Sequence, residues 1–295
     1  MSSCWGYRYS RALMMLSIGD LVLDITIVTE GQLRADDDNP ASITMGGGGQ
    51  AANFCAWAAK LGEPARLVTR VGDDDGGHLL VAELENLGVD VHAIWASQPT
   101  GVIAVLVGTN GARTMATKRG ATIGLRPDDL REAWFEGVKL IHVPAYSLFE
   151  EPLAEAARAA ISLVRRGGGL LAIDLSSAAG IHEYGPARMA HVLKDLAPDL
   201  LFATRTEAEA LGIRLERLAA IPVVKLGSSG CTVLGEFIPS PPVDEVDATG
   251  AGDALAAAFC SSYLRGANPI EAARYAVGVA AGAVTHVGAR PEAIP

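Results

Sequence analysis

Apolar residues along the chain fall into short runs separated by stretches of helical spacing, and this alternation predicts a layered α/β architecture. Residues 13–18 read as a buried strand that empties into Gly19-Asp20, and residues 22–28 as a second strand. The turn-rich segment 30–40 breaks the pattern; Ile43-Thr44-Met45 then runs into four glycines, Gly46 to Gly49. A helix is predicted over 50–61, closed by Gly62, then a strand at 66–71 and a helix at 77–87. The pattern continues with strands at 138–143, 170–174 and 200–203 between helices at 152–166, 186–196 and 206–211. Residues 102–107 and 113–115, around 109–112, look like a β-hairpin. The last third predicts a strand at 223–226, a turn at 227–230, a strand at 231–234, a Pro-rich loop with Pro239, Pro241 and Pro242, and two helices reaching residue 285.

These elements predict a doubly wound, mostly parallel sheet flanked by helices, with a small projecting β-sheet from about 22–45 and 100–118 that would act as a lid. In open α/β sheets ligands collect beyond the carboxyl ends of the strands, so the glycine turns at 46–49, 227–230 and 250–252 can converge there. The lid strands would expose apolar residues such as Val105 unless covered, which would suit a homodimer.

The 295 residues are 49% hydrophobic with 5% aromatics and 33 glycines, enough for a large core with closely packed helices. A net charge of -10 with no basic cluster argues against a nucleic-acid surface. Residues 1–12 read as a flexible extension, with Met14 or Met15 as candidate starts, and their pattern is not that of a signal peptide. No apolar span has membrane length. Cys4, Cys55, Cys231 and Cys260 lack CxxC spacing and read as buried free thiols of a reducing cytoplasm. His142, His182 and His191 have no metal spacing.

The run Asp247-Ala248-Thr249-Gly250-Ala251-Gly252-Asp253 before an Ala-rich helix carries the most chemistry. A helix start leaves N–H groups without intrahelical partners, so Gly250, Ala251 and Gly252 can bring amides to phosphoryl oxygens. Asp253 beside them suits a substrate hydroxyl that must lose its proton. The same residues also make a helix cap. Gly48, Gly49 and Asn53 offer close backbone approach and an amide for hydroxyls, or a plain linker before a helix. Asp20 and Asp24 lie where a polyol could be gripped, or serve as turn residues. Neither a Walker A loop nor a full dinucleotide fingerprint occurs.

Gly48-Gly49-Gln50-Ala51-Ala52-Asn53, Val71-Gly72-Asp73-Asp74-Asp75-Gly76 and the 247–253 run resemble, in order, the motifs of the ribokinase-like (PfkB) carbohydrate kinases, over about residues 13–293. The resemblance implies an ATP- and Mg2+-dependent kinase that transfers the γ-phosphoryl group to a hydroxymethyl group of a small sugar or nucleoside. It makes Asp253 the catalytic base and Gly250, Ala251 and Gly252 the anion hole. Lys225, Gly227, Ser228 and Gly230 fall in the ATP-contacting turn, with Thr204 and Gly252 beside it, and Asp24, Gly48, Gly49, Asn53 and Asp253 at the sugar. Where the family has Asn-x-x-Glu, this chain has Thr204-Arg205-Thr206-Glu207; Glu207 would act on Mg2+ through water, with Arg205 either a further cation nearby or a solvent-facing residue. Asp247, Thr249, Ala283, His286 and Gly288 match a monovalent-cation loop, as candidate K+ ligands. The Thr204 departure also raises a second reading, a catalytically weak sugar- or nucleotide-binding sensor. Tyr146 and Phe149 keep nucleosides among the candidate substrates.

Overall fold

The structure is a computed structural model that describes residues 13–108 and 113–291, so the extension assigned to residues 1–12, the hairpin tip at 109–112 and Cys4 lie outside the described residues. In chain order the first strands and helices are β1 Met15–Ile18, β2 Val22–Thr29, β3 Ala41–Gly48, α1 Gln50–Lys60, β4 Ala65–Gly72, α2 Asp75–Asn86, β5 Val89–Ala96, β6 Gly101–Val107 and β7 Arg113–Lys118. They continue as β8 Leu140–Pro144, α3 Tyr146–Phe149, α4 Leu153–Arg166, β9 Leu170–Asp174, α5 Ala178–Tyr184, α6 Pro186–Leu196, β10 Leu200–Thr204, α7 Arg205–Leu211, β11 Ile221–Lys225, β12 Gly230–Val233, β13 Glu236–Pro239, α8 Ala251–Leu264 and α9 Pro269–Ala283.

Among the described residues, nine strands form one sheet in the order β13-β12-β11-β10-β9-β8-β1-β4-β5. It is parallel from β11 to β5, with β12 and β13 antiparallel at one edge. Its inner strands are largely apolar on both faces because both are covered. Met15, Leu67, Leu140 and Phe202 point into the core under α1, α2, α8 and α9, while Leu16, Val68, Ile141 and Leu201 point to the side of α4 to α7. Helix α8 is apolar all round: Ala254, Ala256, Ala257, Ala258 and Phe259 are fully buried, and α1 packs against it through small side chains. That close approach brings residues of α1 within reach of the start of α8.

The doubly wound sheet is as the pattern predicts, with elements added to it, among them α3, β5, α5 and β13. Strand β5 pairs in parallel with β4 at the sheet edge, where its polar face meets solvent, and its mixed pattern hides it in the sequence. Helix α5, capped by Ser177, is too short to show a periodicity. Strand β13 lies in the segment read as a Pro-rich loop, and Pro239 is tolerated at its end as a sheet edge allows.

Strands β2, β3, β6 and β7 form a second sheet in the order β3-β2-β6-β7. Its register separates two faces. Leu23, Ile25 and Ile27 share one with Ile43, Met45, Val102, Ala104 and Leu106; Asp24 and Thr26 share the other with Ile103, Val105, Met115 and Thr117. Val105 is covered on the second face; of the exposed apolar residues, Ile43 and Met45 belong to the first face and Met115 to the second.

Candidate active site

The turn before α8 is a wall between two cavities. Gly250, the N-cap, has φ 76, and a side chain there would strike the Ala289 backbone, so only glycine makes this turn. Gly250 has no side chain to cap the helix; Ala251 N turns back to Ala248 O at 3.3 Å and Asp253 N to Gly250 O at 3.0 Å, which leaves the amides of Gly250 and Gly252 to an anion. Ala251 and Gly252 line a cavity of ≈ 470 Å³, while Gly250 and Asp253 line another of ≈ 200 Å³.

The larger cavity gathers Thr204, Lys225, Gly227, Ser228, Gly230 and Gly252, every residue expected at the nucleotide. Its remaining walls are largely aliphatic, from Pro241, Val243, Val277, Ala281 and Val284. Lys225, the last residue of β11, reaches Asp174 at the end of β9, with Nζ 2.6 Å from Oδ2. Burial works against its charge, but Asp174, Glu207 and Asp253 outweigh that and raise its pKa. A Cβ on Gly252 would stand 3.3 Å from Nζ, so the ammonium lies against the first turn of α8.

The smaller cavity is lined by carboxylates and sheet residues, among them Asp20, Asp24, Asn53, Arg119, Tyr146 and Asp253. Asp253 Oδ2 accepts from Asn53 Nδ2 at 2.9 Å. Burial is the main cause that pushes the Asp253 pKa up to about 7; the Asn53 bond and Lys225 oppose it, and Asp174 and Asp20 add to it. Asp24 is raised to about 6, again chiefly by burial, against the pull of Arg290. Its Oδ1 is buried with no hydrogen-bond partner among the described residues, an acceptor that a ligand hydroxyl would satisfy. Asp20 serves both readings: Oδ1 accepts from the Ala51 amide at the start of α1, and Oδ2 lies 3.4 Å from Arg119 Nη1.

Other expected site residues divide between the smaller cavity, lined by Gly49, Asp247 and Thr249, and positions outside it. Gly49 lines the smaller cavity, but Gly48 is buried behind it, and a side chain at Gly48 would strike Asp24. Asp74, from the second motif, lies outside both cavities and ties the start of α2 to the base of the small sheet, accepting from Gly77 N at 2.8 Å and from Thr100 N and Oγ1 at 2.8 and 2.6 Å. Burial would raise its pKa, but these bonds hold it below the usual range. Asp247 joins two loops: Oδ1 accepts from Thr249 and Oδ2 from Gly288 N at 3.0 Å. Ala283 is buried and outside both cavities, and His286 is exposed with its ring on Thr285.

Thr204 and Glu207 form a capping box on α7, with Thr204 N donating to Glu207 Oε2 at 2.7 Å and Glu207 N to Thr204 Oγ1 at 3.3 Å. The T-x-x-E spacing is itself the sequence signature of such a box. Burial raises the Glu207 pKa, opposed by Lys225. Arg205 faces solvent, and the cation beside the cavity is Lys225.

Four contributors carried no assigned role in the sequence: Asp174, Arg119, Arg290 and, in its actual role, Tyr146. Arg119 lies over the Tyr146 ring, with Cζ 3.6 Å from the centroid. Arg290 Nε donates to Asn53 Oδ1 at 3.2 Å.

Across residues 12–295 the sequence matches the pfkB family carbohydrate kinase model. The chain belongs to the pfkB carbohydrate kinase family. As a pfkB kinase it is a phosphotransferase acting on an alcohol group of a sugar or nucleoside. An ATP-dependent ribose-1-phosphate kinase from Halopiger xanaduensis is 31% identical to it over 290 residues, 94% of this chain and 93% of that protein. The structure of an adenosine kinase from Sinorhizobium meliloti matches this pfkB kinase with a TM-score of 0.84 at 25% identity, covering 95% of this chain and 96% of that one. A putative ribokinase II from E. coli, solved in complex with ATP and Mg2+, matches with a TM-score of 0.82 at 24% identity over 94% of each chain.

Proposed function

We propose that the larger cavity takes ATP, the smaller takes a small sugar, and Asp253 removes the proton from the sugar hydroxymethyl group that attacks the γ-phosphorus. The observation that carries this reading is the Gly250–Asp253 turn, which offers the Gly252 amide to one cavity and a buried carboxylate to the other. As the hydroxyl oxygen bonds to phosphorus its proton passes to Asp253, and the bond to the leaving ADP breaks. The amides of the α8 start and the Lys225 ammonium take up charge on the transferring group.

Mg2+, when bound with ATP, neutralises phosphate charge. Glu207 fits contact through water rather than direct ligation, because it is turned to its own helix start and is absent from the cavity lining. The K+ reading draws support from the meeting of the two loops, where Val246 N and Asp247 N donate to Val284 O at 2.8 and 3.1 Å. Rates in potassium, sodium and choline chloride test it, and equal rates in all three reject it.

Two observations favour a sugar over a nucleoside. A cavity of ≈ 200 Å³ is smaller than the roughly 300 Å³ at which sites for drug-sized ligands begin. Arg119 also covers a face of Tyr146 on which a base would stack. The sheet face bearing Asp24, Thr26 and Val105 would close over the sugar as a lid and exclude water. Its opposite apolar face, with Ile43 and Met45 exposed, suits a homodimer; Ile43→Lys should then shift sedimentation from dimer to monomer. The buried thiols Cys55, Cys231 and Cys260 fit a reducing cytoplasm.

Coupled ADP release over ribose, fructose, ribose 1-phosphate, adenosine and pseudouridine tests the function. Turnover with a sugar at a kcat/KM at least tenfold above the nucleosides is expected. Preference for a nucleoside would overturn the sugar assignment, and binding without ADP release would favour the sensor.

A further inference from the structure

The partner of Asp253 has a partner of its own. Asn53 gives its Nδ2 to Asp253 at 2.9 Å, and its Oδ1 accepts from Arg290 Nε at 3.2 Å. An amide is not symmetric, since its oxygen only accepts and its nitrogen only donates, and a guanidinium has donors alone. With Arg290 on one side, Asn53 therefore presents its NH2 to Asp253. A flipped amide would set donor against donor at Arg290 and acceptor against carboxylate at Asp253.

Arg290 sits in a slot shaped for it. It comes from the segment after α9, where the preceding carbonyl, Ala289 O, accepts from Trp57 Nε1 at 3.0 Å. Its Nη2 donates to Gly48 O at 2.9 Å, its Nη1 lies 3.0 Å from Glu83 Oε1, and its side chain is 5% exposed. A side chain at Gly47 would collide with the guanidinium, so that glycine serves Arg290 rather than a ligand. The charged groups facing Arg290 are Glu83 from α2, Asp24 from β2 and Asp20 after β1. Arg290 lines neither cavity.

We propose that Arg290 is a positioning residue for the base: its Nε–H fixes the Asn53 amide so that Nδ2 donates to the ionised form of Asp253. The proposal rests on the reading of Asp253 as base. The groups facing Asp253 are Asn53 from α1, Asp174 from the end of β9, Lys225 from the end of β11 and Asp20 after β1. Arg290 acts on it through Asn53. Without Arg290 the amide can turn, donation to the carboxylate weakens, and Asp253 keeps its proton to higher pH.

The test is a 13C-carboxyl NMR titration of the full chain labelled at aspartate, with the Asp253 signal identified by its loss in Asp253→Asn. Arg290→Lys keeps the charge but places a methylene where Nε–H stands; Arg290→Met removes both. Each should raise the Asp253 midpoint by roughly one unit, the size of a lost charge-assisted hydrogen bond. Each should also lower kcat at pH 7 about fivefold, the loss of ionised Asp253, with the KM for ATP within about twofold. In an Asn53→Ala background, Arg290→Met should move the midpoint no further. A wild-type midpoint in folded Arg290→Lys, or an equal shift with and without Asn53, would overturn the proposal. Near wild-type kcat in Asp253→Asn would instead overturn the base reading, while the NMR midpoints would still report whether Arg290 orients the amide.

Discussion

The two cavities on either side of the Gly250–Asp253 turn are built by different means. The larger, of ≈ 470 Å³, relies on glycine backbone, aliphatic walls and one ammonium; the smaller, of ≈ 200 Å³, relies on carboxylates, two of them pushed toward neutrality by burial. An anion is best met by amides and a cation, which need no proton to change hands. A hydroxyl that must both bind and ionise is best met by carboxylates whose pKa lies near the working pH. The turn joins these demands in four residues, and substitutions on either side should separate them.

The largest expected effect is at the shared wall. Asp253→Asn should lower kcat by about 10²- to 10⁴-fold while ATP binding, read by calorimetry, stays within about threefold. Next, Lys225→Met should cost kcat about 10²-fold and weaken ATP, with the sugar KM within about twofold. A raised sugar KM with unchanged ATP affinity would reverse the assignment of the cavities. Asp24→Ala should act in the opposite sense, raising the sugar KM about tenfold or more and sparing the KM for ATP.

The ionisation of Asp253 also bears on stability. Its pKa is raised from 3.8 to about 7 in the folded chain, so its favourable contribution is present below about 3.8 and lost as pH rises through 7. Asp253→Asn should therefore raise the Tm at pH 8 by a few degrees, and the gain should shrink toward pH 5. The smallest effect is expected at Thr204→Asn, since asparagine also caps a helix; kcat should change by less than about threefold.

Much of this division is legible in the sequence, because glycines that must adopt a left-handed turn and amides at a helix start leave a local pattern. Gly250 with Asp253, the turn 227–230 and Asn53 three residues into α1 all belong to such patterns. Arg290, Asp174 and Arg119 do not: each is a single charged residue at a strand end or in a loop, brought to the site by the order of strands and by the segment after α9. Arg290 and Asn53 lie 237 residues apart. Thr204-x-x-Glu207 is ambiguous for the opposite reason, since one short spacing serves both a capping box and a phosphate motif. Strand β5 stayed hidden because an edge strand with one wet face shows a weak apolar run.

The central claim is that the carboxylate on the sugar side of the turn accepts the proton of the attacking hydroxyl. Its most direct test is the dependence of kcat on pH for the wild type beside Asp253→Asn, with ATP and sugar saturating. The account predicts a wild-type rate that falls tenfold per unit below about pH 7 and levels above it, and a residual rate in the variant that lacks this limb. The same limb in the variant, at a kcat near wild type, would contradict it.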